Sequence, residues 1–408
     1  MSAEQPYDLA IVGGGLVGAS LAAALRNSAL RVAVIEAFAP DSAAQPSFDE
    51  RTTALGNASR RVFEAMGLWE ALSAAAAPIT DIHVSDAGRF GFSRLSAREF
   101  DQPALGYVVP NRVLGRALWD ALQSCSSVTC FMPARLTAMH VEPEQARLEL
   151  QTASGAVQLQ ARLVVAADGA QSLVREAAGL SASVDEYHQV AIVASLRMDQ
   201  ANEGTAYERF TPAGPMALLP LAVAGAGWRT LVWAARPEHA ERLMQLDDQQ
   251  FISEWQQAFG WRAGRALQLG RRARYPLSLS RSQQSTARRI ALLGNASQSL
   301  HPVAGQGFNL GLRDAAALVD LLAQAPADPG SSELLAQFAA QRTADRDGVV
   351  AFTDTLVRVF STEHPVVAAG RDLGLLLFDL LPPAKRALSR VSLGFGNHTP
   401  RMARGLRP

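Results

Sequence analysis

The sequence predicts a mixed α/β protein, α+β overall, in which a Rossmann-like dinucleotide-binding domain is interrupted by a mostly antiparallel β-sheet and followed by a helical C-terminus. Three observations predict it. Near the N-terminus, "YDLAIVGGGLVGASLAAALRNSALRVAVIEA" sets an apolar strand, a glycine turn, an alanine-rich helix and a second apolar strand in βαβ order. Residues 188–235 then change character: "HQVAIVASLRM", "GTAYERFTPAGPMALLPLA" and "WRTLVWAA" read as antiparallel strands, with "FISEWQQAFGW" as a helix beside them. From residue 332 onward the pattern is mostly helical.

Each part of the first stretch has a physical task. Leu9 to Val12 form the apolar strand, Gly13, Gly15 and Gly18 fall in GxGxxG spacing, and Val32 to Ile35 end at Glu36. The first glycine permits the tight turn, the second lets backbone approach a pyrophosphate, and the third lets helix and strand pack closely. The helix N-terminus offers amides and a positive dipole end to phosphate. Glu36 is placed to accept hydrogen bonds from a ribose hydroxyl. These residues predict a bound dinucleotide and do not separate FAD from NAD.

Further along, residues 51–72 and 111–123 read as helices, since "RRVFEAMGLWEAL" and "NRVLGRALWDAL" carry apolar residues at helical spacing. Between them "DIHVSDAGRFGFSRL" alternates as short strands do. More strands are expected from Val128 to Val165. There "ARLVVAADGAQSLVR" delivers Asp168 and Gly169 from an apolar strand onto a helix start, so that Asp168 reads both as an N-cap and as a cofactor contact. The pattern returns in "RRIALLGNASQSLHPVAGQGFNLGLRD": a buried strand, then Gly294 and Asn295, then a second glycine-rich turn through Gly305, Gln306, Gly307 and Phe308, with Asn309 starting a helix. Trp228, Trp233 and Phe210 read as sheet core.

Composition narrows the chemistry. With 408 residues the chain exceeds one ordinary core of roughly 150 residues and suggests two lobes. Basic and acidic residues balance at 38 each, which argues against nucleic acid as a partner. Lys385 is the sole lysine, so a Schiff-base mechanism would rest on it alone. Cys125 and Cys130 form neither a disulfide framework nor a CxxC pair, read as inert and suit a reducing, cytoplasmic location. No signal peptide is expected, and no apolar run reaches the roughly 18 residues of a membrane span.

Together, "AIVGGGLVGASLA", "FDERTTAL", "NRVLGRAL", "VVAADGAQSLVR", "ERFTPAGPMALLPL" and "GNASQSLHPVAGQGFNLGLRD" resemble the flavin-dependent aromatic hydroxylases of the p-hydroxybenzoate hydroxylase fold, and within them the ubiquinone-biosynthesis hydroxylases. "IHVSDAGRFGF" and "FGWRAG" draw the resemblance toward the branch acting on 2-polyprenyl-6-methoxyphenols, in which the new hydroxyl goes para to the phenol oxygen. The resemblance implies FAD as cofactor, NAD(P)H as a transient hydride donor, O2, and a flavin 4a-hydroperoxide that hydroxylates a polyprenylated phenol. It implies an FAD-binding domain over 1–80, 100–180 and 276–330, a substrate domain over 81–99 and 181–275, and a helical region over 331–408. Gly13, Gly15, Gly18 and Glu36 match the adenosine and pyrophosphate site, Arg51 and Arg112 match positions near the cofactor, and Asp168 and Gly169 match a motif serving FAD and NAD(P)H. Gly294 and Asn295 stand where most relatives have Gly-Asp at the ribityl chain. Gly305 to Asn309 would meet the flavin ring, with "ERFTPAGPMALLPL" as a cover strand closed by Pro220.

His301 and Pro302 are the candidates nearest the chemistry. His301 is read as a base or as a residue that fixes the loop by hydrogen bonding, and the second reading is preferred; carbonyls around Pro302 could orient the phenol. Alternatives at the level of function are a sibling hydroxylase acting at another ring position, a flavin-free NAD-dependent reductase, and a non-catalytic flavoprotein subunit of a biosynthetic complex. The halogenase signature GWxWxIP is missing. "RDLGLLLFDLLPPAKRALSR" is apolar, and after Asp379 six basic residues and no acidic one follow, so peripheral contact with an anionic inner-membrane surface competes with a core helix and solvated tail.

Overall fold

Five parallel strands set the frame. In the computed structural model, which describes residues 6–39, 42, 45, 49, 51–88, 92–222, 227–301, 305–324, 327–361 and 399–407, the strand Tyr7–Val12 lies between Gly155–Ala166 on one side and Val32–Ile35 on the other. Ile290–Leu292 continues the sheet beyond Gly155–Ala166, and Val128–Phe131 continues it beyond Val32–Ile35. A hairpin of Ala134–Val141 and Ala146–Thr152 and the short strand Thr286–Ala287 complete eight strands. The inner strands are apolar and buried where they pair, over Leu9–Val12, Val32–Ile35 and Leu163–Ala166, as a sheet covered on both faces requires. One face packs on the helices Leu16–Leu25, Asn111–Gln123 and Gln306–Leu322.

A second sheet of nine described strands holds Ala182–Met198, Trp228–Ala235, Gly214–Pro220 and Thr205–Thr211 in antiparallel order. Asp81–Asp86 joins it parallel to Thr205–Thr211, and Phe92–Ser96 forms its edge. On its other side Ala273–Ser282 pairs with Ala182–Met198, so this sheet continues past residue 276 and ends on Gln298–Ser299, just before His301. The helices Pro237–Gln245 and Asp248–Phe259 cover one face over Trp233, Phe251, Trp255 and Leu218. Trp233 and Phe210 are buried, while Trp228 is only partly so.

Residues 51–72 are not one helix. Thr52–Gly56 is a strand paired antiparallel with Gly106–Pro110, and helices follow at Asn57–Ala65 and Trp69–Ser73. Two β-branched threonines and a partner about fifty residues away decide the conformation, a non-local choice that helical periodicity cannot reveal. Gly106 makes the pairing possible, since a Cβ there would sit 2.6 Å from the Leu55 carbonyl oxygen.

The helix Gln306–Leu322 is clamped to Ser332–Ser361 by buried ions. Arg342 Nε donates to Asp314 Oδ1 (2.7 Å), Arg313 Nε to Asp345 Oδ2 (2.9 Å), and Arg342 also reaches Asp345. Gln298 donates to the other Asp314 oxygen (3.0 Å) and Arg346 to the Ser297 hydroxyl (2.9 Å), which ties the cluster to the segment after Asn295. Burial pushes the Asp345 carboxyl up, and Arg313 and Arg342 override it to hold that carboxyl below its ordinary range. Arg342→Ala would leave the buried Asp314 without its guanidinium and Asp345 on Arg313 alone, and a loss of about 3–5 kcal/mol in urea unfolding is expected.

Candidate cofactor-binding site

The carboxyl ends of four parallel strands open onto one crevice, the place where open α/β sheets bind ligands. Val12 leads into Gly13, Ile35 into Glu36, Ala166 into Asp168, and Leu292 into Gly294. Backbone bonds lock these exits together: Gly13 N–H donates to Ile35 O (2.8 Å), Ala167 N–H to Val12 O (2.7 Å) and Leu293 N–H to Ala166 O (2.9 Å).

At the first turn glycine is obligatory. Gly13 has φ +99°, and a Cβ there would lie 2.3 Å from Ala167 O; at Gly18 it would lie 1.9 Å from Gly13 O. The helix Leu16–Leu25 then starts at Gly15 with no side-chain cap and no acidic residue in its first turn. Its first amides and dipole end are left for an anion. Glu36 is buried and already oriented: Oε2 accepts from Gly14 N–H (2.6 Å) and Oε1 from Phe38 N–H (2.9 Å). Each oxygen retains a second lone pair for a hydroxyl.

Across the crevice, Gly169 has φ +88° and Asp168 Oδ2 accepts from Val174 N–H (3.2 Å). Asp168 Oδ1 is buried with no hydrogen-bond partner among the described residues, and burial raises its carboxyl above the usual range. The N-cap of the helix Leu173–Ala177 is Ser172, which accepts from Arg175 N–H, so Asp168 supplements the cap and does not form it. A buried acceptor lacking a donor suits a hydroxyl-bearing ligand. With the uncapped helix and the Glu36 carboxylate, it fits the ribose and pyrophosphate chemistry of FAD.

The second turn lies close by. Gly294 (φ +55°) enters the turn Gly294–Ala296, in which Asn295 is exposed. A Cβ on Gly311 would lie 2.9 Å from Val17 Cγ2 and 3.0 Å from Gly294 Cα, so the helices Leu16–Leu25 and Gln306–Leu322 meet through Val17 and two glycines. The second helix begins at Gln306, three residues before Asn309, with Gly305 (φ +60°) as its N-cap. A Cβ on Gly307 would meet open space. Phe308 stacks on Phe63 with ring centroids 6.4 Å apart.

Asn309 is fully bonded: Oδ1 accepts from Gly56 N–H (2.9 Å) and Ser59 Oγ (2.6 Å), while Nδ2 donates to Ala54 O (2.8 Å) and Gly305 O (2.7 Å). It staples the Gly305 turn to the strand Thr52–Gly56. At the other end of that strand Arg51 pairs with Asp49 (2.7 Å), stacks over Tyr275 (4.5 Å), and accepts from Asn111 N–H through its carbonyl, which brings the exposed Arg112 alongside.

His301 is 1% exposed, shares a 3.1 Å hydrogen bond between Nε2 and Gln189 Oε1, and meets the Tyr187 ring edge-on at 5.1 Å. Burial alone pushes its pKa down to about 4, so it is neutral at physiological pH. Pro302 lies outside the described residues. Two contributors escaped the sequence reading: Val17, and Trp119, whose Nε1–H donates to Gly14 O (3.2 Å). Trp119 sits in an ordinary amphipathic pattern and nothing local marks it. The glycines at 294 and 311, which leave room for a side chain, were the available signal for Val17.

A family model described as an FAD binding domain matches residues 6–353. A ubiquinone hydroxylase, UbiL, of Rhodospirillum rubrum is 37% identical over 99% of this chain and 94% of its own. The chain belongs to the FAD-dependent hydroxylases of ubiquinone biosynthesis. The 3-demethoxyubiquinol 3-hydroxylase of Escherichia coli is 34% identical over 96% of this hydroxylase and 99% of that protein. The crystal structure of p-nitrophenol 4-monooxygenase PnpA from Pseudomonas putida matches with a TM-score of 0.81 at 17% identity, over 97% of this chain and all of that one, which establishes the shared fold. The hydroxylase is thus an FAD-dependent monooxygenase. Among the described residues no helix is long and apolar enough to cross a membrane, and residues 371–390, for which membrane contact and a core helix competed, lie outside them.

Two outcomes follow from this geometry. Gly311→Val forces backbone apart at Gly294, and a loss of about 1–3 kcal/mol with weakened FAD retention is expected; Gly307→Ala keeps the apo-protein's Tm. For His301, and for His83 with its pKa likewise lowered to about 4, the unfolded chain binds the proton first as pH falls below 6.5. Stability is therefore constant above pH 6.5 and declines between 6.5 and 4, by up to about 1.4 kcal/mol per pH unit for each group. Tm measured across that range is expected to fall less steeply in His301→Gln.

Proposed function

We propose that the hydroxylase acts on the aromatic ring of a polyprenylated methoxyphenol, with NAD(P)H and O2 as co-substrates. The observation that carries this reading is the near full-length match to a relative named for ubiquinone hydroxylation. When bound, FAD supplies a hydride acceptor and an oxygen-activating ring.

In this reading the chain's residues bind, orient and shield. The amides from Gly15 to Gly18 take the pyrophosphate, with Gly13 shaping the turn, and Glu36 takes the adenosine ribose. Asp168 Oδ1, beside Gly169, accepts from a cofactor hydroxyl. Asn295, beside Gly294, offers the ribityl chain an uncharged amide in place of a carboxylate. The amides at Gly305 to Asn309 would hold the flavin end of the cofactor, where a helix N-terminus would favour negative charge by about 0.3–2 kcal/mol. Arg51 and Arg112 border the cofactor. His301, neutral and held by Gln189, anchors the loop ahead of Pro302 and leaves the phenol proton to another acceptor, such as the carbonyls around Pro302. The hairpin Thr205–Thr211 and Gly214–Pro220 covers the reacting face and keeps water out.

A second reading, hydroxylation at another ring carbon, draws support from the Escherichia coli relative, which is named for the 3-position of demethoxyubiquinol. The FAD-loaded enzyme given NAD(P)H, O2 and a short-tailed prenyl methoxyphenol is expected to yield one new hydroxyl para to the phenol oxygen, located by mass spectrometry and NMR. A hydroxyl elsewhere on the ring favours the second reading. NAD(P)H oxidation that no phenol stimulates overturns both.

A further inference from the structure

On the nine-stranded sheet, the face turned toward the flavin loop carries Ile82, Ala206 and Leu219, which pack with Ala54, Ile79 and Val108. The opposite face carries His83, Tyr207 and Arg209, in register as Tyr207↔His83 and Arg209↔Ser85, with Arg94 opposite His83 on the edge strand. On that outer face a cavity of about 450 Å³ opens between Arg209, Phe259, Gly260, Trp261 and Arg262. It is of a size that takes a small ligand. It is lined by the stretch "FGWRAG", which a hydrogen bond from Arg262 to His83 links to "IHVSDAGRFGF", far away in sequence; the flavin chemistry uses neither stretch.

The polar groups around it are predominantly hydrogen-bond donors. Arg262 Nη1 donates to His83 Nε2 (3.0 Å). Because a guanidinium only donates, Nε2 is the accepting nitrogen and the proton of the neutral ring sits on Nδ1. Nδ1 is buried and finds no hydrogen-bond partner among the described residues, on a residue only 3% exposed. Arg209 is held by Ser85 Oγ (3.3 Å) and Ala258 O (3.4 Å). No carboxylate among the described residues lies within ion-pair distance of Arg209 or Arg262; Asp86 acts on Arg209 from farther away, against the positive charges of Arg94, Arg209 and Arg262 around His83. Excess positive charge with spare donors calls for an oxyanion. Its aromatic wall is Trp261, which is 69% exposed, while Phe259 beneath is buried and stacks on Trp255 at 4.8 Å.

We propose that this outer pocket binds an aromatic carboxylate, with the carboxylate on Arg209 and Arg262 and the ring against Trp261, at a site separate from the flavin crevice. Calorimetric titration of benzoate into the FAD-loaded, full-length protein tests it, with inorganic phosphate as the second probe and the flavin absorbance recorded alongside. Benzoate is expected to bind without changing the flavin spectrum, and Arg262→Gln and Trp261→Ala, both at exposed positions that spare the fold, are each expected to weaken it about tenfold or more. The proposal is overturned by no benzoate binding at millimolar concentration, by binding that both variants retain, or by binding that perturbs the flavin. Phosphate binding as tightly as benzoate would overturn the aromatic part of the assignment.

Discussion

The close approach of two helices at Val17 is the constraint on which the cofactor crevice depends. Leu16–Leu25 and Gln306–Leu322 can touch only because Gly294 and Gly311 present no side chains to Val17. That contact sets the distance between a helix start that attracts phosphate and a second helix start that carries the Gly305 turn. Asn309 adds the third support by bonding the turn to Thr52–Gly56, and the buried Asp314–Arg342–Asp345–Arg313 cluster holds the helix from behind. A larger side chain at either glycine would shift both ends of the crevice together.

Much of this was legible in the residues. Gly13, Gly18 and Glu36 carry local requirements, namely a positive φ, a backbone approach and a carboxylate at a strand end, and each can be read from a short window. The apolar runs before Gly13, Glu36, Asp168 and Gly294 announce buried parallel strands in the same way. What stayed hidden depends on distant partners. Thr52–Gly56 is a strand because Gly106–Pro110 lies beside it. Trp119 matters because its indole reaches Gly14, and His301 is pinned by Gln189, 112 residues earlier. The shared arginine and acid network likewise follows from the pairing of two helices, which no single stretch encodes.

The chain's near lack of lysine has a structural counterpart. Arginine performs the buried electrostatic work, since its planar fork can satisfy two partners at once and remains charged when buried. Arg313 and Arg342 do so between helices, and Arg289 bridges Asp328 and the Pro143 carbonyl, while the partly exposed Arg51 sits over the Tyr275 ring. A lysine at these positions would offer one point charge where the geometry asks for several directed donors.

The parallel sheet also makes the crevice a long-range object. Gly13 is shaped by Ala167, more than 150 residues later, and Gly294 follows the strand Ile290–Leu292, which pairs beyond Gly155–Ala166. No single stretch of sequence carries the crevice, and pairings of such long range are slow to form.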